Sequence, residues 1–124
     1  HSRLGQGAFR TLVTCAYHRR CAITGEKTLP ALEVGHIKPF AKSGPSHISN
    51  GILLRSDLHK LFDKGYVTIL PDYHIEVSPA IKEEFENGRD YYLYQGHKLK
   101  EIPYQSWEKP DKAYLEWHNE NVFI

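Results

Sequence analysis

The stretch from Leu32 to Gly65 constrains this chain most. It holds two short apolar runs, LEVGHI at 32–37 and Ile52-Leu53-Leu54, separated by a loop at 38–51 rich in Lys, Pro, Gly, Ser and Asn. Directly afterwards comes SDLHKLFDKG at 56–65. Leu58, Leu61 and Phe62 recur there at helical spacing, while His59 and Asp63 fall one turn apart on another face. Ser56 is the expected N-cap, Asp57 suits the positive first turn, and Gly65 is the expected stop. The segment therefore reads strand, loop, strand, helix. A loop near the top of the usual length range points to function or to an anchoring network.

The flanks extend this into an α+β fold. Residues 7–18 read as a helix packed through Phe9, Leu12, Val13, Ala16 and Tyr17, with Arg10 and Arg19 on other faces. Residues 21–25 read as a short strand ending in a Gly turn. Residues 66–70 and 74–77 read as a hairpin around Pro71-Asp72. A helix is expected from Ser78-Pro79 to about Glu86, stopped by Asn87-Gly88. Residues 91–94 and 97–102 suggest a second hairpin through Gln95-Gly96. Pro110 opens a last helix that packs through Tyr114, Leu115, Trp117 and His118.

Several classes are excluded at this point. A composition of 40% hydrophobic and 25% charged residues does not describe a disordered chain. No apolar run approaches the ~20 residues of a membrane span, and no signal-peptide pattern opens the sequence. Cys15 and Cys21 are too few for a disulfide framework or a four-ligand zinc site, which disfavours a small zinc-stapled interaction domain. Two reduced thiols in a cytosolic protein are the expectation. The 124 residues amount to one domain's worth. They contain no methionine, so the chain is expected to be an excised domain or a processed chain. The formal charge of +1 hides an asymmetry: residues 1–64 hold 10 Lys and Arg against 4 Asp and Glu, and residues 65–124 hold 6 against 11. The basic half contains the strand–loop–strand–helix segment, which fits a polyanionic partner on one face, although such a half can also be merely soluble.

Four ordered blocks sharpen the reading: Arg20-Cys21-Ala22-Ile23-Thr24-Gly25, Glu33-Val34-Gly35-His36-Ile37-Lys38-Pro39, Ser49-Asn50-Gly51-Ile52-Leu53-Leu54, and Asp57-Leu58-His59-Lys60-Leu61-Phe62-Asp63-Lys64-Gly65. Together they resemble the HNH endonuclease family, in a restriction-type branch with the pattern RCAITG, ExxHIxP, SNGxLL and DLHxLFDxG. The resemblance covers residues 3–70 well and the tail loosely. It implies a ββα-metal core at about 32–65, within one nuclease domain spanning 1–124 that is excised from the C-terminal part of a larger protein.

The resemblance also implies roles. His36 is the water-activating base, a part that a neutral imidazole can play at physiological pH. Asn50 fixes the loop beside it, and equally suits a turn before Gly51. His59 is the helix ligand of a divalent metal, Mg²⁺ or Mn²⁺. Many members carry Asp immediately before the first His; this chain has Gly35. Glu33 shares the strand face of Gly35 and, with Asp63, is a candidate to supply the missing oxygen. Asp57 is read mainly as helix-start chemistry. Lys38, Lys42, His47, Arg55 and Lys60 are candidate phosphate contacts, with Lys64, Arg19 and Arg20 behind them. His18, His74, His97 and His118 are read as structural or solvated. The implied partner is double-stranded DNA, in the cytoplasm of a prokaryote, with a fused or associated domain setting specificity and a homodimer as one route to a double-strand cut. The alternative is a non-catalytic DNA-binding module that keeps the fold.

Overall fold

The computed structural model describes residues 5–124. β1 (Leu32–His36) and β2 (Gly51–Arg55) form an antiparallel pair with Leu32 opposite Arg55, Gly35 opposite Ile52 and His36 opposite Gly51. β2 is buried from Gly51 to Leu54 because helices cover both of its faces. On one side lies α1 (Gln6–Ala16), which buries Phe9 and Val13. Gly51 permits this approach, since a Cβ there would stand 3.0 Å from the tip of Phe9 and would also meet Val13. On the other side lies α2 (Ser56–Asp63), whose Leu58 and Phe62 are buried. The expected strand, loop, strand and helix are all present, in an α+β arrangement.

A second antiparallel pair, β3 (Val67–Ile69) and β4 (Ile75–Val77), extends the core beyond α2. α3 (Ala80–Phe85) and α4 (Arg89–Tyr92) are short. α5 (Lys112–Asn121) closes over β3, capped by Asp111, whose carboxylate accepts the Ala113 N–H at 2.8 Å. One continuous apolar cluster runs from Phe9 through Ile52, Leu54, Leu58 and Phe62 to Ile75 and Leu115.

Four local expectations need correction. The N-terminal helix ends at Ala16 rather than at 18: His18 and Arg19 turn left-handed, and the Arg19 N–H returns to the Thr14 carbonyl. Residues 21–25 are a turn, not a strand. The Gly25 N–H donates to the Cys21 carbonyl, and two bonds tie the turn to β2: Ala22 N–H to the Leu53 carbonyl and Arg55 N–H to Cys21 Sγ. Ser56 does not cap α2. Strand runs straight into helix, so Arg55 occupies the N-cap and no side chain caps it. The second hairpin is replaced by α4, started at Gly88 (φ +123), and by one bridge between His74 and Lys98. Tyr91 and Tyr92 instead send their hydroxyls to Asp57 and to the Ser78 carbonyl. Strand propensity in YYLY yields to those tertiary bonds.

Candidate functional site

His36 closes β1, and three neighbours hold its ring. Phe9 stacks on it with centroids 4.4 Å apart. Phe40 stands edge-on at 6.3 Å. The buried Ser46 hydroxyl lies 3.1 Å from Nε2. The close approach of α1 over Gly51, directly across the ladder, brings Phe9 within reach.

The loop between the strands is anchored by Asn50, which is fully buried. Its Oδ1 accepts the Lys38 N–H at 2.9 Å, and its Nδ2 donates to the carbonyls of Lys38 (3.0 Å) and Pro45 (2.8 Å). One side chain thus satisfies both ends of the loop, the economical answer where backbone polar groups leave water. Pro45 precedes Ser46, so the clamp also sets the hydroxyl that meets His36.

On α2, His59 lies between two carboxylates. Its Nδ1 is 2.8 Å from Glu33 Oε1, and its Nε2 is 3.1 Å from Asp63 Oδ2. Asp63 first and Glu33 second favour the imidazolium, raising the His59 pKa to about 9 against the opposing effect of burial. The ring rests directly on β1. A Cβ added to Gly35 would stand 2.6 Å from His59 Nε2, so the strand face of Glu33 and Gly35 is the one turned to α2.

His36, His59, Gly35 and Asp63 line one cleft of about 310 Å³, together with Phe40 and His118. His59 also borders a hollow of about 420 Å³ that includes Arg10, Thr14 and Glu33. Lys38, Lys42, His47, Arg55 and Lys60 lie outside the cleft lining. Lys38 Nζ sits 5.5 Å from the Trp117 ring centroid. The Arg55 guanidinium is bound twice by Asp57, at 2.7 and 3.0 Å. Lys42 and Lys60 are exposed, and His47 is half-buried.

Sequence reasoning did not single out Ser46, Phe9 or Phe40 for the site, and it gave His118 a structural reading. His118 is 2% exposed and stacked on Phe62 at 3.8 Å. Its Nε2–H donates to the Phe62 carbonyl, while Thr68 Oγ1, itself bonded by Asn119, lies 2.6 Å from Nδ1. Burial pushes its pKa down to about 4, so it forms a neutral wall of the cleft. No short-range signal marks these four; each reaches the site through tertiary packing.

Residues 21–70 match the model of a family described as HNH endonuclease. No curated protein matches the chain. Among solved structures it is similar to a modification-dependent TagI restriction endonuclease, with a TM-score of 0.68 and 20% identity over 97% of this chain and 38% of that one. At that identity the likeness is one of fold, and the chain spans well under two thirds of the neighbour's length. The strand–loop–strand–helix unit that carries His36, Asn50 and His59 lies wholly inside residues 21–70, the stretch that is similar to the HNH endonuclease family.

Proposed function

We propose that this chain is the cleavage module of a restriction-type DNA endonuclease that hydrolyses phosphodiester bonds with a divalent metal. The observation that carries the reading is that His36 and His59, from different elements, open onto one cleft with an acid attached to the second. A phosphodiester needs a base for water, a cation for the charge that builds on phosphate, and fixed placement of both. His36 takes the water proton. Phe9 and Ser46 hold its ring, and Asn50 holds the loop that brings Ser46.

The donor set suits Mg²⁺ or Mn²⁺. Among the described residues no three His, Cys, Asp or Glu side chains are gathered as a ready-made cage. A hard cation that keeps several waters needs only one or two protein ligands beside the phosphate. His59 Nε2 and Asp63 would hold it. Glu33, at the opposite ring nitrogen, fixes the tautomer and orientation of His59, as an outer carboxylate does for a ligating imidazole. The bound ion supplies Lewis-acid stabilisation of the phosphate charge.

The substrate is double-stranded DNA, with Lys42 and Lys60 as exposed phosphate contacts, supported by Lys38 and His47. Arg55, held by Asp57, is the weakest of the five. The similar restriction endonuclease is named as modification-dependent and is far longer, so we assign target choice to an attached or associated domain, in a cytoplasmic prokaryotic enzyme. A double-strand cut requires two copies or two events.

The test is nicking of supercoiled plasmid with Mn²⁺. His36→Ala should abolish nicking while duplex binding persists; undiminished nicking would remove His36 as base. Gly35, in place of a carboxylate, favours one second reading, a DNA-binding module without catalysis. Duplex binding by the unaltered chain with no nicking in either metal would select it.

A further inference from the structure

The hollow of about 420 Å³ beside the His36–His59 cleft shares two lining side chains with it, Val34 and His59. Those two form a ridge between the openings. Asp63, the partner of His59 Nε2, stands on the cleft side, and Glu33, the partner of Nδ1, on the hollow side. Arg10 of α1 lines the hollow from across β1, with Thr14 one helical turn on. The Thr14 hydroxyl is spent on the Arg10 carbonyl at 2.7 Å, and the Glu33 carboxylate is spent on His59. The Arg10 side chain is exposed and, among the described residues, makes no ion pair, whereas Arg55 is held by Asp57.

We infer that Arg10 binds the DNA phosphate adjoining the scissile one, so that the cut strand crosses the Val34–His59 ridge from the cleft into the hollow. This rests on the nuclease reading above. A strand whose scissile phosphate lies in the cleft has to leave it, and beyond the ridge stands a cation with its donors uncommitted. A guanidinium presents a planar fork of N–H groups that matches phosphate oxygens. Between consecutive phosphates lies a deoxyribose with apolar C–H faces, and Val34 gives the ridge an apolar crest. Arg10 also meets an electrostatic need. Glu33 and Asp63 set two carboxylates where a polyanion must approach, and Arg10 is the cation that shares the hollow with Glu33. A contact to the backbone alone reads no sequence, which suits a cleavage module whose target is chosen elsewhere.

The test compares Arg10→Gln and Arg10→Lys in the full chain, with Lys82→Gln on α3 as a remote loss of one charge. Glutamine is a comparable helix former at an exposed position, so Tm should hold. The first arm is anisotropy of a fluorescein-labelled duplex of mixed sequence in EDTA, titrated across NaCl concentrations. Arg10→Gln should lower the slope of log K against log salt by about 0.9, the loss of one phosphate contact. That slope makes binding about eightfold weaker at 0.1 M salt and converges on the unaltered chain near 1 M. Arg10→Lys should keep the slope. An unchanged slope in Arg10→Gln, or an equal change in Lys82→Gln, would overturn the contact. The second arm is nicking with Mn²⁺ of a duplex carrying one neutral methylphosphonate immediately 5′ or immediately 3′ of a mapped nick. One of the two should raise KM for the unaltered chain and have no further effect in Arg10→Gln, with kcat moved by less than about twofold. Losses that add to Arg10→Gln at both positions would overturn the placement beside the scissile phosphate. Failure of the nuclease reading is separable: it appears as no nicking by the unaltered chain, while the metal-free arm still decides whether Arg10 holds a phosphate.

Discussion

Replacing Asn50 by aspartate keeps the side chain's shape and removes its donor. The oxygen that accepts the Lys38 N–H remains. The other terminal atom, now an oxygen, faces the carbonyls of Lys38 and Pro45 at the 3.0 and 2.8 Å that the amide nitrogen occupies. In a side chain with no solvent exposure, a carboxylate there repels both. It escapes by binding a proton, which restores one of the two donated bonds. Holding a carboxyl neutral at pH 7, about three pH units above its ordinary pKa, costs about 4 kcal/mol. At pH 5 the same constraint costs about 1.5 kcal/mol. The bond not restored adds about 1 kcal/mol at either pH. The ceiling on destabilisation is therefore about 5 kcal/mol at pH 7 and about 2.5 kcal/mol at pH 5.

The sign follows from linkage. The variant carboxyl has a folded pKa above its unfolded value, so the folded state loses ground as pH rises past the unfolded pKa. Urea denaturation at pH 5 and pH 7, followed by tryptophan fluorescence, measures this directly. Asn50→Ala is the control, destabilised without that pH dependence. Equal losses at both pH values for Asn50→Asp, or a loss below about 1 kcal/mol at pH 7, would refute the assignment of Asn50 as double donor and loop clamp. Where the variant remains folded, nicking should still fall, because Ser46 and through it His36 depend on the same loop.

His118 carries a second pH signature. Its folded pKa of about 4 lies below the ordinary 6.5, so stability should decline as pH falls from 6.5 toward 4, by at most about 3 kcal/mol; urea titrations in which His118→Phe shows the same acid slope as the unaltered chain would contradict it. His59 has the opposite sign: with its folded pKa raised to about 9, its contribution is present below 6.5 and is lost as pH rises through 9. Asp63→Asn should lower that pKa more than Glu33→Gln in an NMR titration, and the reverse order would be inconsistent with Asp63 as the dominant partner. Gly35→Ala should displace the His59 ring, returning its pKa toward 6.5 and lowering Tm at pH 6 more than at pH 9, where that contribution is already fading; an unshifted titration would show that the ring does not rest on Gly35.

The strand–loop–strand–helix core was legible because short apolar runs, a polar loop and a well-stopped helix leave few alternatives. Period-two reasoning also put Glu33 on the strand face of Gly35, and both meet His59. The misreadings share one cause. CAITG is apolar like a strand, yet its bonds close on themselves through Gly25 and Cys21. YYLY has strand composition, yet its hydroxyls find partners on distant elements. The Arg55–Asp57 pair was not legible either, because the bend from β2 into α2 turns Asp57 onto Arg55 and no local pattern encodes that direction. In the site, His36, Asn50 and His59 were readable from ordered blocks. Ser46, Phe9 and His118 were not, because Ser46 and Phe9 reach the His36 ring only through the loop clamp and the approach of α1 over Gly51, and His118 reaches the cleft only through the packing of α5 on β3.

The residue before the first His explains why the acids of this site stand where they do. With no side chain at Gly35, the His59 ring comes down onto the strand and fills the room in which a carboxylate would project. A side-chain acid at 35 and the ring in its present place exclude each other. The acids must then come from positions that meet the ring without passing under it: one two residues back on the same strand face, at Glu33, and one a helical turn onward, at Asp63. Each takes a different ring nitrogen, so only the acid at Nε2 can share an ion that His59 binds through that atom. Gly35→Asp alone therefore should not recreate the commoner arrangement. It would first have to drive His59 off the strand, breaking both carboxylate contacts, and only a compensating change on α2 that lets the ring retreat would turn the added acid into a gain in Mn²⁺ affinity.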